Sequence, residues 1–537
     1  MTRFLFFGPF ESKNLDWSNF SAPPLGVHRL ASYLKNQGHH ADVIDPDLEK
    51  IATERDFRIF VEGKRYDFIG ISPTHITLEN DLGLAYLAKK YSPESTIIAG
   101  GPEATFAYDL VMDNSCVEIV VIGEGEKPTL ELARAGRVGL EKIPGLILKD
   151  KERKIKTGPN KALNNEEFAE VTMAMDFSRI PYDRYWDATK RFYMADLESS
   201  NLQLRARRNQ EIYTVRFFQA NYCPYNCTFC SSHRFQDNAS GGDKTKVVSL
   251  TGEQFIYLVK KAYDTYPQIQ TVILQDDNFM VGLKNKKIER LVDLLTEEKQ
   301  QGGIPMGLSF IAQSRVDNVN LERLNLLRRA NFRLISYGIE SFSQRMLDEI
   351  CKETTVERAE QTLQDTLSVG IRPYLNIILT APNSTFYDMF QTIDRTVHYI
   401  ERGAEAGSYN TIIPLPGSRI EVTTRGSDLV EYREVKIPFT DYTFKKAERI
   451  FPKDSGLREM IHRFDEIIED RKSEFMDTHK MGHLPKISQS ASSKATRLNT
   501  LIRFATLYEL AKEMNVQPYG GMADGEIPRI QGLSSKF

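Results

Sequence analysis

Residues 221–235 read NYCPYNCTFCSSHRF, and three of the chain's five cysteines, Cys223, Cys227 and Cys230, fall within this one stretch. It follows directly on the apolar run Tyr213–Gln219, which has the composition of a strand. Three thiolates on one loop suit an iron–sulfur cluster, which ordinarily takes four cysteine ligands. No fourth cysteine is nearby, so one iron is left for another ligand, and an open iron can hold and reduce a substrate. A zinc site would more often show two separated ligand pairs, and here only His233 is available as an extra ligand. Cys116 and Cys351 stand alone and read as core or surface residues. So few cysteines, so clustered, do not form a disulfide framework. They point to a metal site in a reducing compartment, and hence to a cytoplasmic protein.

Outward from that loop, the strand-like runs Tyr213–Gln219, Thr271–Gln275, Leu308–Ile311, Leu334–Tyr337, Tyr374–Leu379 and Tyr409–Ile413 alternate with helical patterns. These helices are expected at Thr251–Thr265, Lys286–Lys299, Leu321–Arg329, Ser343–Ile350, Val356–Val369 and Tyr387–Arg402. Six strand–helix units over 206–420 predict a partial TIM-type β/α barrel, whose active groups gather on the loops leaving the strands. Polar residues interrupt the pattern just where each strand should end. They are Asp276, Asp277 and Asn278 after the second strand, Gln313, Ser314 and Arg315 after the third, and Glu340 and Ser341 after the fourth. Each such loop alone also reads as a helix N-cap after a turn. The later LTAPNST and PLPGSR segments are turn-rich and are expected to line the same pocket.

The loop and the barrel together resemble the radical S-adenosylmethionine (SAM) superfamily, with Tyr225 and Phe229 as aromatic neighbours inside the Cys-x3-Cys-x2-Cys loop. The resemblance implies a [4Fe-4S] cluster whose unique iron is chelated by the amino and carboxylate groups of SAM. It further implies that an electron from the cluster cleaves SAM to methionine and a 5′-deoxyadenosyl radical. Phe229, Asp276, Asp277, Asn278, Gln313, Arg315 and Glu340 are the expected SAM-binding residues, since carboxylates suit an ammonium or hydroxyls and an Arg fork suits a carboxylate. A reductant such as flavodoxin or ferredoxin is the expected electron donor.

Residues 1–140 carry a second resemblance. Strands are expected at Phe4–Phe7, Ala41–Ile44, Phe68–Ile71, Thr96–Ala99 and Val117–Ile122, with helices at Gly26–Gln37, Leu78–Tyr91 and Lys127–Ala135. Continuous apolar strands separated by helices predict a doubly wound, Rossmann-like α/β domain that binds ligands beyond the strands' carboxyl ends. The segments PPLGVHRLASYLKNQGHHADVID, IGISPTHIT, IIAGGPEAT and VVIGEGE are similar to the cobalamin-binding domain found ahead of many radical SAM barrels. Ser72, Thr74, Gly100, Gly101, Gly123, Glu124 and Gly125 are the expected cofactor contacts, the glycines because they let backbone approach a ligand closely. The Asp-x-His-x-x-Gly motif that brings a histidine to cobalt in many such domains is absent, and neither His28 nor His75 takes its place.

Between these domains, 141–205 is expected to be a linker: a hairpin in GLILKDKERKIKT, a polar stretch, then an irregular connector over DFSRIPYDRYW. After 421 the strand signal fades, and Leu457–Phe475 and Lys494–Met514 predict a small C-terminal helical cap with a loose Gly-rich tail. The RARR run at Arg205–Arg208 reads as a solvated edge, and His462, His479 and His483 as surface histidines. Tyr222 and His233 stand close enough to the cysteines to touch substrate or cofactor.

A net charge of -3 offers no general footprint for nucleic acid or an anionic membrane. No apolar run reaches a membrane span, and MTRFLFFGPF reads as a buried strand, not a signal peptide. The paired resemblances imply a cobalamin-dependent radical SAM C-methyltransferase acting on a small metabolite or natural-product intermediate. Cyclisation, ring contraction or oxidation with the same cofactors, or a non-catalytic sensor, are the alternatives. Only one cysteine precedes the loop, so a methylthiotransferase with a second cluster is disfavoured.

Overall fold

The computed structural model describes residues 1–12, 22–151, 153–281, 285–409, 411–470 and 491–516. Two parallel sheets carry the chain. The first holds β1 (Arg3–Phe7), β2 (His40–Ile44), β3 (Phe68–Ile71), β4 (Thr96–Ala99), β5 (Ile119–Val121), β6 (Leu146–Asp150) and β7 (Arg153–Lys156), in the order β2-β1-β3-β4-β5-β6-β7. β1 to β5 are parallel and read as unbroken apolar runs because helices cover both faces. β6 and β7 are antiparallel, so the hairpin expected in the linker extends the first sheet. The remainder of 141–205 is also more ordered than its sequence suggests. Tyr182–Phe192 is a helix, with Tyr182, Tyr185 and Trp186 buried, where an irregular connector was expected.

The second sheet holds β8 (Thr214–Phe217), β9 (Thr271–Leu274), β10 (Ser309–Ser314), β11 (Phe332–Glu340), β12 (Arg372–Ile378) and β13 (Glu405–Tyr409), all parallel and in sequence order. It is a partial barrel whose core packs the rings of Phe217, Phe255, Phe310 and Phe332 against one another. Helix starts are fixed locally. Thr251 caps Gly252–Thr265, and Thr385 caps Phe386–Glu401, each through a reciprocal capping box.

β13 lies earlier in the chain than the expected Tyr409–Ile413. Its small residues Ala406, Gly407 and Ser408 conceal it as a strand. They admit close neighbours: a Cβ on Gly407 would stand 2.5 Å from the Tyr374 hydroxyl, and Thr500 donates to the Ala406 carbonyl at 2.8 Å. The helix bearing Thr500, Ala491–Glu513, packs along this last strand with Phe504, Leu507 and Tyr508 buried.

The C-terminal part is not helical alone. β14 (Val430–Lys436) and β15 (Thr443–Ile450) form an antiparallel hairpin before the helix Ser455–Asp470. The hairpin crosses back to the first domain, where Val435, Ile437 and Phe444 join that domain's core. Tyr442 stacks on Tyr86 at 5.6 Å, and Lys446 Nζ pairs with Glu79 at 2.6 Å. At its other end, Ile450 N donates to the Ile412 carbonyl at 2.9 Å, which ties the hairpin to the barrel.

RARR is also corrected. Arg208 is fully buried and pairs with Asp196 at 2.6 Å and with Glu211, while Arg207 reaches Glu405 at 2.9 Å. Since Glu405 opens β13 and Arg207 precedes β8, this pair joins the first and last strands' amino ends. His462 is exposed, as expected, with its ring against Phe451 at 4.5 Å, whereas His479, His483 and the Gly-rich tail lie outside the described residues.

Candidate active site

The carboxyl ends of the two sheets face one cavity of about 360 Å3. From the first sheet it is lined by Ser72, Gly100, Gly101, Gly123, Glu124 and Gly125, and from the second by Ala220, Asn221, Gln275, Asp276 and Asp277. Ser231, Ser232 and Gln236 complete this wall and begin immediately after Cys230. The first rim is bare, and at two of its positions glycine is required. Gly101 has φ +92° as it leads into the helix Pro102–Phe106, and a Cβ on Gly123 (φ +74°) would lie 2.5 Å from Ala239 Cβ. Thr74, by contrast, is used inside its own loop, bonding to Thr77 ahead of the helix Leu78–Tyr91, and is not in the lining.

Glu124 is buried, and its Oε2 accepts from Leu163 N at 2.9 Å. Burial, then the neighbouring Glu126, raises its carboxyl above the usual range. Half-buried Arg29 and buried Glu126, neither foreseen in the sequence, pair at 2.6 Å on the same wall, with the guanidinium over Phe218 at 5.2 Å.

The cysteine loop runs from β8 to the helix Ser232–Ala239 and is pinned by neighbours. Thr228 N donates to the Ile350 carbonyl and the Thr228 carbonyl accepts from Ile420 N, each at 2.9 Å. Cys227 is buried, and Cys223 and Cys230 are half-buried. Asp276 braces the loop's start, its Oδ1 accepting from Gln219 N at 2.7 Å and Ala220 N at 2.5 Å. Burial pushes this carboxyl up to about 7. Asp277 is exposed in the cavity lining, and the desolvation it meets there raises its carboxyl too.

A second group gathers around Cys227. Asn278 Nδ2 donates to Asn318 Oδ1, and Asn318 Nδ2 donates to the Tyr225 hydroxyl, both at 2.6 Å. Arg315 lies over the Tyr225 ring at 3.8 Å and reaches the Cys227 sulfur at 3.5 Å. Glu340, at φ +62° where β11 ends, pairs with Lys352 at 2.8 Å, and both are buried. Phe229 lies 5.9 Å beneath the Lys352 ammonium. Gln313 contributes its backbone, the carbonyl accepting from Phe279 N at 2.9 Å.

Ser341 turns away from this group. It is fully buried against Thr392 at 2.7 Å and holds the helix Phe386–Glu401. Tyr222 is engaged with Asp237 at 3.2 Å, while His233 Nδ1 is buried without a partner. Lys352 was not legible as a partner because twelve residues and a helix separate it from Glu340.

The residues present fit the expected groups. Asp276 Oδ2 and Asn278 Oδ1 are buried acceptors without a partner, as a bound ligand's donors would require. Among the described residues no three His, Cys, Asp or Glu side chains converge on one metal ion. A cubane asks for something else, one thiolate on each of three irons, and three cysteines on one loop supply it. The bare glycine rim leaves room for a broad flat group. No histidine is among the lining residues. His28 is buried, which lowers it to about 4, and His75 is held by the Ala447 carbonyl at 2.8 Å.

Two family models match along the chain: the B12 binding domain over residues 15–133 and the Radical SAM superfamily over residues 219–396. The chain is a radical SAM enzyme with a B12-binding domain ahead of its barrel. An uncharacterised methyltransferase of Pyrococcus horikoshii is 25% identical over 406 residues, which span 74% of this chain and 78% of that one. The anaerobic magnesium-protoporphyrin IX monomethyl ester cyclase of Rubrivivax gelatinosus is 26% identical over 382 residues, covering 69% of this chain and 61% of that one. Among solved structures, the radical SAM methyltransferase TsrM from Kitasatospora setae, with cobalamin and a [4Fe-4S] cluster bound, superposes with a TM-score of 0.63 at 14% identity. That match covers 96% of this chain and all of the other, and it extends the likeness of fold beyond the two matched domains. Among the described residues no helix is long and apolar enough to cross a membrane.

Proposed function

We propose that the chain is a cobalamin-dependent radical SAM methyltransferase that transfers a methyl group to an unactivated carbon of a small metabolite or natural-product intermediate. The observation that carries this reading is the single cavity into which both the glycine rim of the first domain and the Asp276–Asp277 loop of the barrel open. When bound, the cluster, SAM and cobalamin together supply the radical and the methyl donor.

The chain's own residues position and enclose them. Cys223, Cys227 and Cys230 would hold the cluster, with Phe229 beside it. Asp276 and Asp277 line the cavity where SAM would sit, whereas Asn278, Gln313 and Glu340 stand outside that lining. Ser72, Gly100, Gly101, Gly123, Glu124 and Gly125 would carry the corrin. Arg29, Phe218 and Gln236 close the remaining wall against water. A soluble one-electron donor of the flavodoxin or ferredoxin type would supply the reducing equivalent.

Methyl-labelled SAM, supplied to reconstituted, reduced, cobalamin-loaded protein with candidate small molecules, tests the reading. Label appearing in a product heavier by one CH2 supports it. 5′-Deoxyadenosine formed with a product lighter by two hydrogens would instead favour cyclisation or oxidation, the reading to which the Rubrivivax relative points.

A further inference from the structure

We propose that Arg315 is a positioning residue that sets the reduction potential of the cluster by donating an N–H to the Cys227 sulfur. This rests on the radical SAM reading and goes beyond it, since the resemblance would give an Arg here to the carboxylate of SAM. The geometry assigns the guanidinium elsewhere. Its fork is already closed on a carboxylate of this chain, with Nε to Asp317 Oδ1 at 3.0 Å and Nη2 to Asp317 Oδ2 at 3.3 Å. Nη2 also donates to the Lys352 carbonyl, and the plane of the group lies on the Tyr225 ring with Cζ 3.8 Å from its centroid. Three contacts thus fix a nearly buried group, 5% exposed, and leave Nη1 directed at Cys227 Sγ at 3.5 Å. Lys352 reinforces the arrangement by adding a second buried cation, itself held by Glu340.

The physical consequence follows from charge. A cluster on three thiolates is anionic, and reduction adds another negative charge in a site with little water. A buried anion of that kind needs compensation. An N–H donor and a positive charge at a ligand sulfur stabilise the reduced form more than the oxidised one, and so raise the potential. Lys cannot reproduce the effect in full, because an ammonium has neither the planar face that rests on Tyr225 nor the fork that closes on Asp317.

The test is a potentiometric titration of reconstituted holoenzyme, followed by electron paramagnetic resonance, with iron content and SAM affinity measured on the same samples. In R315Q the iron content is expected to stay at the wild-type level. The ratio of reduced to oxidised cluster at a fixed poise is expected to fall about tenfold, which is ~59 mV for one electron. R315K should shift in the same direction by less, as should Tyr225→Leu, which removes the ring beneath the guanidinium together with the hydroxyl that accepts from Asn318. Wild-type potentials in R315Q and R315K, with SAM binding weakened instead, would overturn the proposal and make Arg315 a SAM ligand. Should R315Q fail to take up iron, unchanged potentials in both R315K and Tyr225→Leu would overturn it equally. Wild-type protein that takes up no iron would count against the radical SAM reading rather than against this role of Arg315.

Discussion

The two walls of the cavity are built by opposite means. On the first sheet the strand ends finish in Gly100, Gly101, Gly123 and Gly125, where side chains are missing and backbone is exposed to the space. On the barrel they finish in Asp276 and Asp277, the first braced by Gln219 N, while the Arg315–Asp317 and Glu340–Lys352 pairs stand outside the lining. A broad flat ligand needs room and contact along its face, which glycine provides. A small zwitterion on a cluster needs charges already in place, because charges that must rearrange on binding stabilise less. The difference teaches how the two sheets could serve chemically unlike cofactors, the first chiefly through bare backbone and the second chiefly through charge.

If the two walls are independent, damage to one should spare the other, and the largest effect should come from the cluster. Cys227→Ala removes a buried thiol proposed to hold the cluster, so iron binding and SAM cleavage are expected to be lost while cobalamin is still retained. Iron analysis and an optical spectrum of one sample decide this, and loss of both cofactors would break the comparison.

Glu340→Gln leaves the Lys352 ammonium buried without its counter-charge. Breaking such a pair costs about 3–5 kcal/mol, so thermal unfolding of the barrel should begin at clearly lower temperature. An unchanged midpoint would mean that the pair is not buried in solution.

His28 sharpens the contrast from the first domain's side. Burial lowers it to about 4 from 6.5, so the fold favours its neutral form. Its contribution is full above pH 6.5 and is lost as pH falls through 4, and it amounts to about 3 kcal/mol. Stability measured against pH should therefore fall less steeply in His28→Leu than in wild type across that window. Parallel curves would refute the assignment.

Gly100→Val is the gentlest probe. Its φ is ordinary, and a Cβ there would meet Val121 at 3.7 and 3.8 Å, so the backbone tolerates the change. The added methyls would occupy the bare rim. Cobalamin affinity is expected to fall about tenfold, ~1.4 kcal/mol, with iron content unaffected.

What was legible in the sequence follows the same division. The glycine rim could be read because GG and GEG directly follow apolar runs, and the cysteine loop because its spacing has few other uses. The hairpin Val430–Ile450 could not. Only alternate residues such as Val435 and Phe444 face the first domain, and the intervening Glu and Lys residues hide the pattern. Arg208 was misread because sequence shows its charge but not Asp196 and Glu211 folded around it. Asp276 was placed correctly at a strand end, yet its brace to Gln219 and Ala220 depends on a neighbouring strand far off in the chain.

The most direct test of the account is the metal content of protein purified without oxygen, reconstituted with iron and sulfide and supplied with cobalamin. One cavity with two unlike walls predicts about four irons and one cobalt per chain, given a single cubane on the cysteine loop. Iron at that level with no cobalt would contradict it, because the glycine rim would then have some purpose other than holding a corrin.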